Sequence, residues 1–209
     1  HLTTAKEMQL FEAGPLQDKH ITAEVCVHHL SYNQGDYKHY GNGIKCNPAI
    51  KSESDQKAIW KALLEDRIDV IATDHAPHTI EEKSMDYWNA PAGLPLIQHP
   101  LVMMLNHVHE GRISLEKMVE KMCHAPSDMF DIVDRGYIDE GKKADLVLVD
   151  PERPWLVSKE NLYYKCGWSN LEGKRMKGRV LKTWVNGHLV YDHGRFHGPG
   201  LGQRLKFNR

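Results

Sequence analysis

The chain has 209 residues, enough for one or two domains with a real core. With 41% hydrophobic and 26% charged residues it reads as an ordinary globular chain, which argues against a disordered or membrane-spanning class. Its 27 Lys plus Arg against 28 Asp plus Glu give a net charge of −1, so no whole-chain basic field recruits nucleic acid or anionic lipid. The cysteines Cys26, Cys46, Cys123 and Cys166 are too widely spaced for a Cys-x-x-Cys pair and too few for a disulfide scaffold. Reduced thiols in a cytoplasmic protein are the expectation. The longest apolar stretch, 94–105, is broken by Gln98 and His99, which leaves no membrane span or signal peptide.

Residues 1 to about 110 read as strands alternating with helices, the pattern of a parallel α/β sheet or barrel. Thr3 or Thr4 is placed to cap a helix running through Gln9, Leu10 and Phe11, because a hydroxyl there satisfies free backbone N–H groups. Residues 21–27 form an apolar strand that closes on His28 and His29, followed by a polar loop over 31–43 and the short run 44–48. Ser52 and Asp55 carry the spacing of a capping box, and Ile59, Trp60, Leu63 and Leu64 follow at helical intervals, which predicts a helix over 53–65. The nearly all-apolar run 68–73 is the signature of a parallel strand covered on both faces. Further helices are predicted at about 95–109 and 114–124.

The character changes after about residue 134. A turn-rich connector, 136–145, precedes a short strand at 146–149, and the strand-like runs 179–185 and 188–191 meet at Asn186-Gly187, which suits a type I′ hairpin. The expected organisation is therefore an α/β portion over 1–134 and a small β-rich domain over 135–209.

Asp74-His75-Ala76-Pro77-His78 is the sharpest local feature, because it follows a buried parallel strand at the end where such folds bind ligands. A carboxylate and two imidazoles within five residues suit metal binding, proton transfer or anion recognition. The same residues also suit a helix-capping aspartate beside surface histidines, and the segment alone leaves both readings open. His1, taken alone, reads as a structural residue before a capped helix.

Thr73 to Thr79 followed by Glu81-Glu82-Lys83 resembles the last barrel strand and loop of the dihydroorotases, within the amidohydrolase superfamily. Further segments are similar in the same order: His1-Leu2-Thr3-Thr4-Ala5 to the sixth-strand segment, 24–30 to the seventh, Asn47-Pro48 to the segment before the eighth, and 90–94 to the loop that closes over substrate. Residues 136–150, 165–169 and 178–180 are like the family's C-terminal tail. The implied fold is α/β: the C-terminal part of a (β/α)8 TIM-like barrel, about strands 6–8, plus the small β-rich C-terminal domain. The implied reaction is zinc-dependent, reversible cyclisation of N-carbamoyl-L-aspartate to L-dihydroorotate in pyrimidine biosynthesis.

The resemblance implies two zinc ions per complete site. His1 ligates one of them, and Asp74 ligates the other and acts as general base, moving a proton from water to the departing amide nitrogen. Asn47 and His78 contact substrate, and Ala92 and Gly93 offer backbone groups from the closing loop. A zinc pair suits an unactivated cyclic amide because it acidifies bound water to a pKa of about 7 and polarises the carbonyl. Ala49-Ile50-Lys51 and Asn170-Leu171 depart from the family's usual pattern at positions with no assigned role. The family's His-x-His pair, bridging lysine, fifth-strand histidine and substrate arginine have no counterpart, and about three barrel strands fit before residue 110, whereas a whole barrel takes roughly 250 residues. The chain is thus expected to be a C-terminal half, inactive alone, whose partners are a small-molecule substrate and the N-terminal half of the same enzyme. Homo-oligomerisation is compatible with this reading; nucleic acid and membrane are not expected. The alternatives are an allantoinase or hydantoinase, or a non-catalytic dihydroorotase-like subunit of a transcarbamoylase complex.

Overall fold

The computed structural model describes residues 1–208. Compactness divides the chain into an interleaved pair of units, one formed by 1–104 with 156–174 and the other by 105–155 with 175–209. This grouping differs from a single cut near residue 134: the stretch 156–174 packs with the first unit, where Trp168 Nε1 donates to the His78 carbonyl (2.8 Å). Asn170, at one of the positions that depart from the family pattern, is buried and donates to Tyr32 Oη (2.9 Å), while Leu171 is 2% exposed. Both are interior residues.

Two parallel strands organise the first unit, β1 (Glu24–Cys26) and β2 (Val70–Ala72), with Val25 opposite Ile71. β1 is shorter than the apolar run 21–27 because the chain turns at Val27 into helix α1 (Val27–Ser31), where Ser31 Oγ donates back to the Val27 carbonyl (2.8 Å). His28 and His29 therefore lie in a helix and not at a strand end. The starts of the two strands are joined by a buried ion pair: Lys19 Nζ lies 2.6 Å from Asp69 Oδ1, and Asp69 Oδ2 accepts from the Ala23 amide (2.7 Å). Both side chains are almost wholly out of water, so each charge depends on the other.

The expected capping box is present at the next helix, α2 (Glu53–Leu64): the Asp55 amide donates to Ser52 Oγ (3.1 Å) and the Ser52 amide to Asp55 Oδ2 (3.3 Å). Its buried face, Ile59, Trp60, Ala62 and Leu63, joins the core beside Leu30, and Trp60 Nε1 donates to the Leu30 carbonyl (2.9 Å), a group that the end of α1 leaves unpaired within the helix. The helix expected near the N-terminus is only a 3-10 turn, Glu7–Leu10, with Thr4 Oγ1 accepting from the Glu7 amide (3.3 Å). The helix expected at 95–109 begins at Pro100, because proline suits the first helical position and the residues before it serve other contacts described below.

In the second unit the segment expected as one helix over 114–124 runs further, as Leu115–Val119, a π-helical turn Glu120–His124, and Ala125–Met129. Pro126 lacks an N–H and its ring crowds the preceding turn, and the wider π turn absorbs that defect. The β-rich part is an antiparallel sheet of β3 (Leu146–Asp150), β4 (Arg179–Val185), β5 (His188–Asp192) and β6 (Arg195–Phe196), in that order. β4 and β5 meet at Asn186 and Gly187, whose φ angles of 51° and 82° are those of the expected hairpin turn. Arg135 pairs with Asp145 and donates to Asn186 Oδ1 (2.8 Å), which ties the connector to that turn. Among the described residues no helix is long and apolar enough to cross a membrane.

Candidate active site

β2 delivers Asp74 at its C-terminal end, where the backbone turns through φ +45°, a left-handed conformation that an L residue holds at a steric cost. This turn lets the carboxylate face the first segment of the chain. His1 Nε2 lies 3.4 Å from Asp74 Oδ1, so these two predicted metal ligands, 73 positions apart, stand side by side. The segment carrying His1 runs beside β1, with the Leu2 amide donating to the Glu24 carbonyl (3.0 Å). Each of the two side chains is about 30% exposed, accessible without being fully solvated.

Glu24 was not singled out from the sequence. Its Oε1 is in close contact with His1 Nδ1, so His1 is held between two carboxylates. A carboxylate on one imidazole nitrogen fixes the ring's orientation and leaves the other nitrogen to act, the arrangement that commonly supports a metal-ligating histidine. The available signal was an acid interrupting an otherwise apolar strand. Donor atoms of His1, Glu24 and Cys26 lie within 4.8 Å of one another, as do those of Cys26, His28 and His29. Imidazole, carboxylate and thiol donors at this spacing fit a borderline-soft divalent cation.

Burial keeps the second cluster in its neutral forms. It pushes the Cys26 thiol up and lowers His29 to about 4, with the Pro48 carbonyl at 2.9 Å from His29 Nε2 opposing that shift. A carbonyl partner requires Nε2 of His29 to carry the proton. The His28 and His29 rings lie against each other at a tilt of 46°, with centroids 4.1 Å apart.

His75 holds structure together. Its Nδ1 accepts from the amides of Leu96 (3.0 Å) and Ile97 (3.2 Å), and its ring stacks on Tyr164. The neighbouring Ala76 amide donates to the Leu94 carbonyl (3.1 Å). His78 is partly exposed, with Nδ1 3.6 Å from Glu82 Oε2. Asn47 is exposed and joined to Pro48 by a cis peptide bond. Gly93 has its N–H bound to the Lys45 carbonyl (2.9 Å) and its carbonyl bound by Lys83 Nζ (3.0 Å), so both its backbone groups already have protein partners. Ala92 beside it is half-buried. Among the described residues no hydrogen bond or ion pair joins Asn47, His78, Ala92 or Gly93 to His1 or Asp74; the structure brings only the two metal-ligand candidates into direct contact.

In an α/β unit, ionisable groups gathered beside parallel strands stand where such folds bind ligands, and comparison identifies the family. The Amidohydrolase family profile matches residues 12–190, and the chain belongs to that family, whose membership implies a metal cofactor. It is 37% identical over 98% of its length to a dihydroorotase of Pyrococcus furiosus, covering 47% of that protein. It is 38% identical over 92% of its length to a dihydroorotase of Halobacterium salinarum, covering 44% of that one. Among solved structures, an L-hydantoinase (dihydropyrimidinase) from Arthrobacter aurescens matches with a TM-score of 0.91 at 27% identity, over 98% of this chain and 47% of that one. The chain thus spans about half the length of the curated relatives it matches.

Proposed function

We propose that this chain forms the C-terminal part, about strands 6–8, of the catalytic barrel of a dihydroorotase, with the antiparallel sheet β3–β6 belonging to an accessory domain. The observation that carries the reading is the 3.4 Å approach of His1 Nε2 to Asp74 Oδ1 beside the ends of two parallel strands. The reaction is hydrolysis of the ring amide of L-dihydroorotate to N-carbamoyl-L-aspartate, and its reverse. Two zinc ions, held in part by His1 and Asp74, supply Lewis acidity and a water acidic enough to react near neutral pH.

Within that setting Asp74 is the general base. Water adds to the ring carbonyl, the C–N bond breaks, and Asp74 carries the proton from the water to the leaving nitrogen. Glu24 holds His1 in one orientation. His78 and Asn47 contact substrate, His78 at the exocyclic carboxylate. Ala92 offers a backbone group from the closing loop, while Gly93 sets the path of that loop.

Substrate is a small cyclic amide, and no nucleic acid or membrane partner is assigned; the cytoplasm is the proposed compartment. A hydantoinase-type activity is the second reading, supported by the close structural match to the L-hydantoinase. The approach of His1 to Asp74 argues against a non-catalytic dihydroorotase-like subunit.

The test uses the full-length protein loaded with zinc, assayed on L-dihydroorotate, allantoin and hydantoins. Turnover of dihydroorotate is expected, with kcat falling by about 10²–10⁴-fold in Asp74→Asn while substrate binding persists. Turnover of hydantoins alone transfers the assignment to the second reading, and an unchanged kcat removes Asp74 from its role.

A further inference from the structure

We infer that Lys83 is a positioning residue whose ammonium fixes the relative placement of the three segments carrying the proposed substrate contacts. Its side chain is buried, with the residue only 4% exposed, yet Nζ has a full set of acceptors: the carbonyls of Lys45 (3.1 Å), Pro91 (3.0 Å) and Gly93 (3.0 Å). An ammonium has three N–H donors, and here each meets one backbone oxygen. Burial lowers the amine to about 8, so the charged form still prevails at neutral pH.

The partners give this geometry its meaning. Lys45 stands two residues before Asn47, while Pro91 and Gly93 flank Ala92. Lys83 itself ends the short helix Ile80–Lys83, which starts two residues after His78 through a capping box between Thr79 and Glu82. A single ammonium thus joins the Asn47, His78 and Ala92-Gly93 segments.

Two further contacts close the arrangement. The Lys45 carbonyl also accepts from the Gly93 amide (2.9 Å). Gly93, at φ +143°, lies so near Ala76 that a Cβ would collide with the Ala76 carbonyl and sit 2.7 Å from its Cβ. The loop is pinned from the Lys83 side and pressed against the Asp74-His75-Ala76 strand end from the other. Without the ammonium, the Pro91 carbonyl has no other hydrogen-bond partner among the described residues, and the loop loses its shared anchor.

The kinetic part of this inference rests on the dihydroorotase reading; the structural part does not. In the zinc-loaded full-length protein, Lys83→Met removes all three donors and Lys83→Gln keeps two. Hydrogen exchange in Lys83→Met should speed up by about tenfold or more at amides 90–94 and stay unchanged over 53–64 and 101–108, with metal content retained. KM for L-dihydroorotate should rise about tenfold with kcat changed by less than about threefold, and Lys83→Gln should lie between Met and wild type.

Unchanged exchange at 90–94, or equal acceleration in the helices, overturns the inference, as does identical behaviour of Met and Gln. If the Met variant fails to fold, Gln against wild type carries the same comparison, with faster exchange confined to 90–94 supporting it and unchanged exchange overturning it. A protein that turns over only another ring amide fails the dihydroorotase reading alone, and the KM comparison is then made on that substrate.

Discussion

At the scale of single residues, the buried histidines show how an imidazole can be structural. His99 is wholly buried, and its Nδ1 meets Tyr164 Oη at 2.9 Å. That hydroxyl also accepts from the Gln98 amide (3.1 Å), and a neutral His99 keeps this contact whichever of the two supplies the proton. Burial accordingly lowers His99 to about 4. The sign of the pH effect follows. Below about pH 6.5 the unfolded chain takes up a proton that the folded chain refuses until about pH 4, so stability falls as pH drops through that window, by on the order of 3 kcal/mol at full effect. Denaturant midpoints of the full-length protein should decline from pH 6.5 to 4, and His99→Gln should flatten part of that decline. Equal slopes in both proteins would show that His99 titrates normally. Asp74 stands at the opposite extreme among these residues: exposed enough to react, and held at φ +45° where no packing rule asks for an aspartate.

At the scale of elements, what the sequence could disclose depended on how local the cause was. Helix α2 was legible to within a residue because its start is written in Ser52 and Asp55 and its buried face in Ile59 and Leu63. The turn at Asn186-Gly187 was legible for the same reason. β1 is shorter than its apolar run, because residues 21–27 carry no local mark of the change to helix at Val27. The π turn at 120–124 was hidden, since a proline ordinarily ends a helix and here the helix widens around it. In the site, Asp74 and His1 were readable by resemblance, whereas Glu24 and the three acceptors of Lys83 become visible only when distant segments meet. The Lys19–Asp69 pair belongs to this non-local class and invites a direct test. Removing Asp69 leaves a buried ammonium without its carboxylate and the Ala23 amide without an acceptor, just where β1 and β2 begin. Asp69→Ala should therefore destabilise the full-length protein by about 3–5 kcal/mol, read by chemical denaturation, while a value under about 1 kcal/mol would mean that water reaches the pair.

At the scale of the whole molecule, the chain spans about half the length of its curated relatives, and its parallel sheet is small. Among the described residues only β1 and β2 form a parallel ladder, with the His1–Thr3 segment adding one hydrogen bond beside β1. Parallel strands are ordinarily covered on both faces and continued by neighbours, and in a barrel the strand ends share one site. The proposed metal donors follow the same division. His1 and Asp74, with Glu24 and Cys26 nearby, fit one cation more readily than two, because each four-coordinate zinc needs its own set of N, O or S ligands. Residues 1–209 purified alone are therefore expected to hold fewer than two zinc ions per chain by elemental analysis and not to turn over dihydroorotate. Adding the remaining part of the relatives' length as a second chain should restore both together, since the proposed reading assigns the other donors and strands to that part. Two tightly held zinc ions on residues 1–209 alone would mean that the Cys26, His28 and His29 cluster completes a binuclear site by itself, and the proposed division of ligands between the two halves would then be wrong.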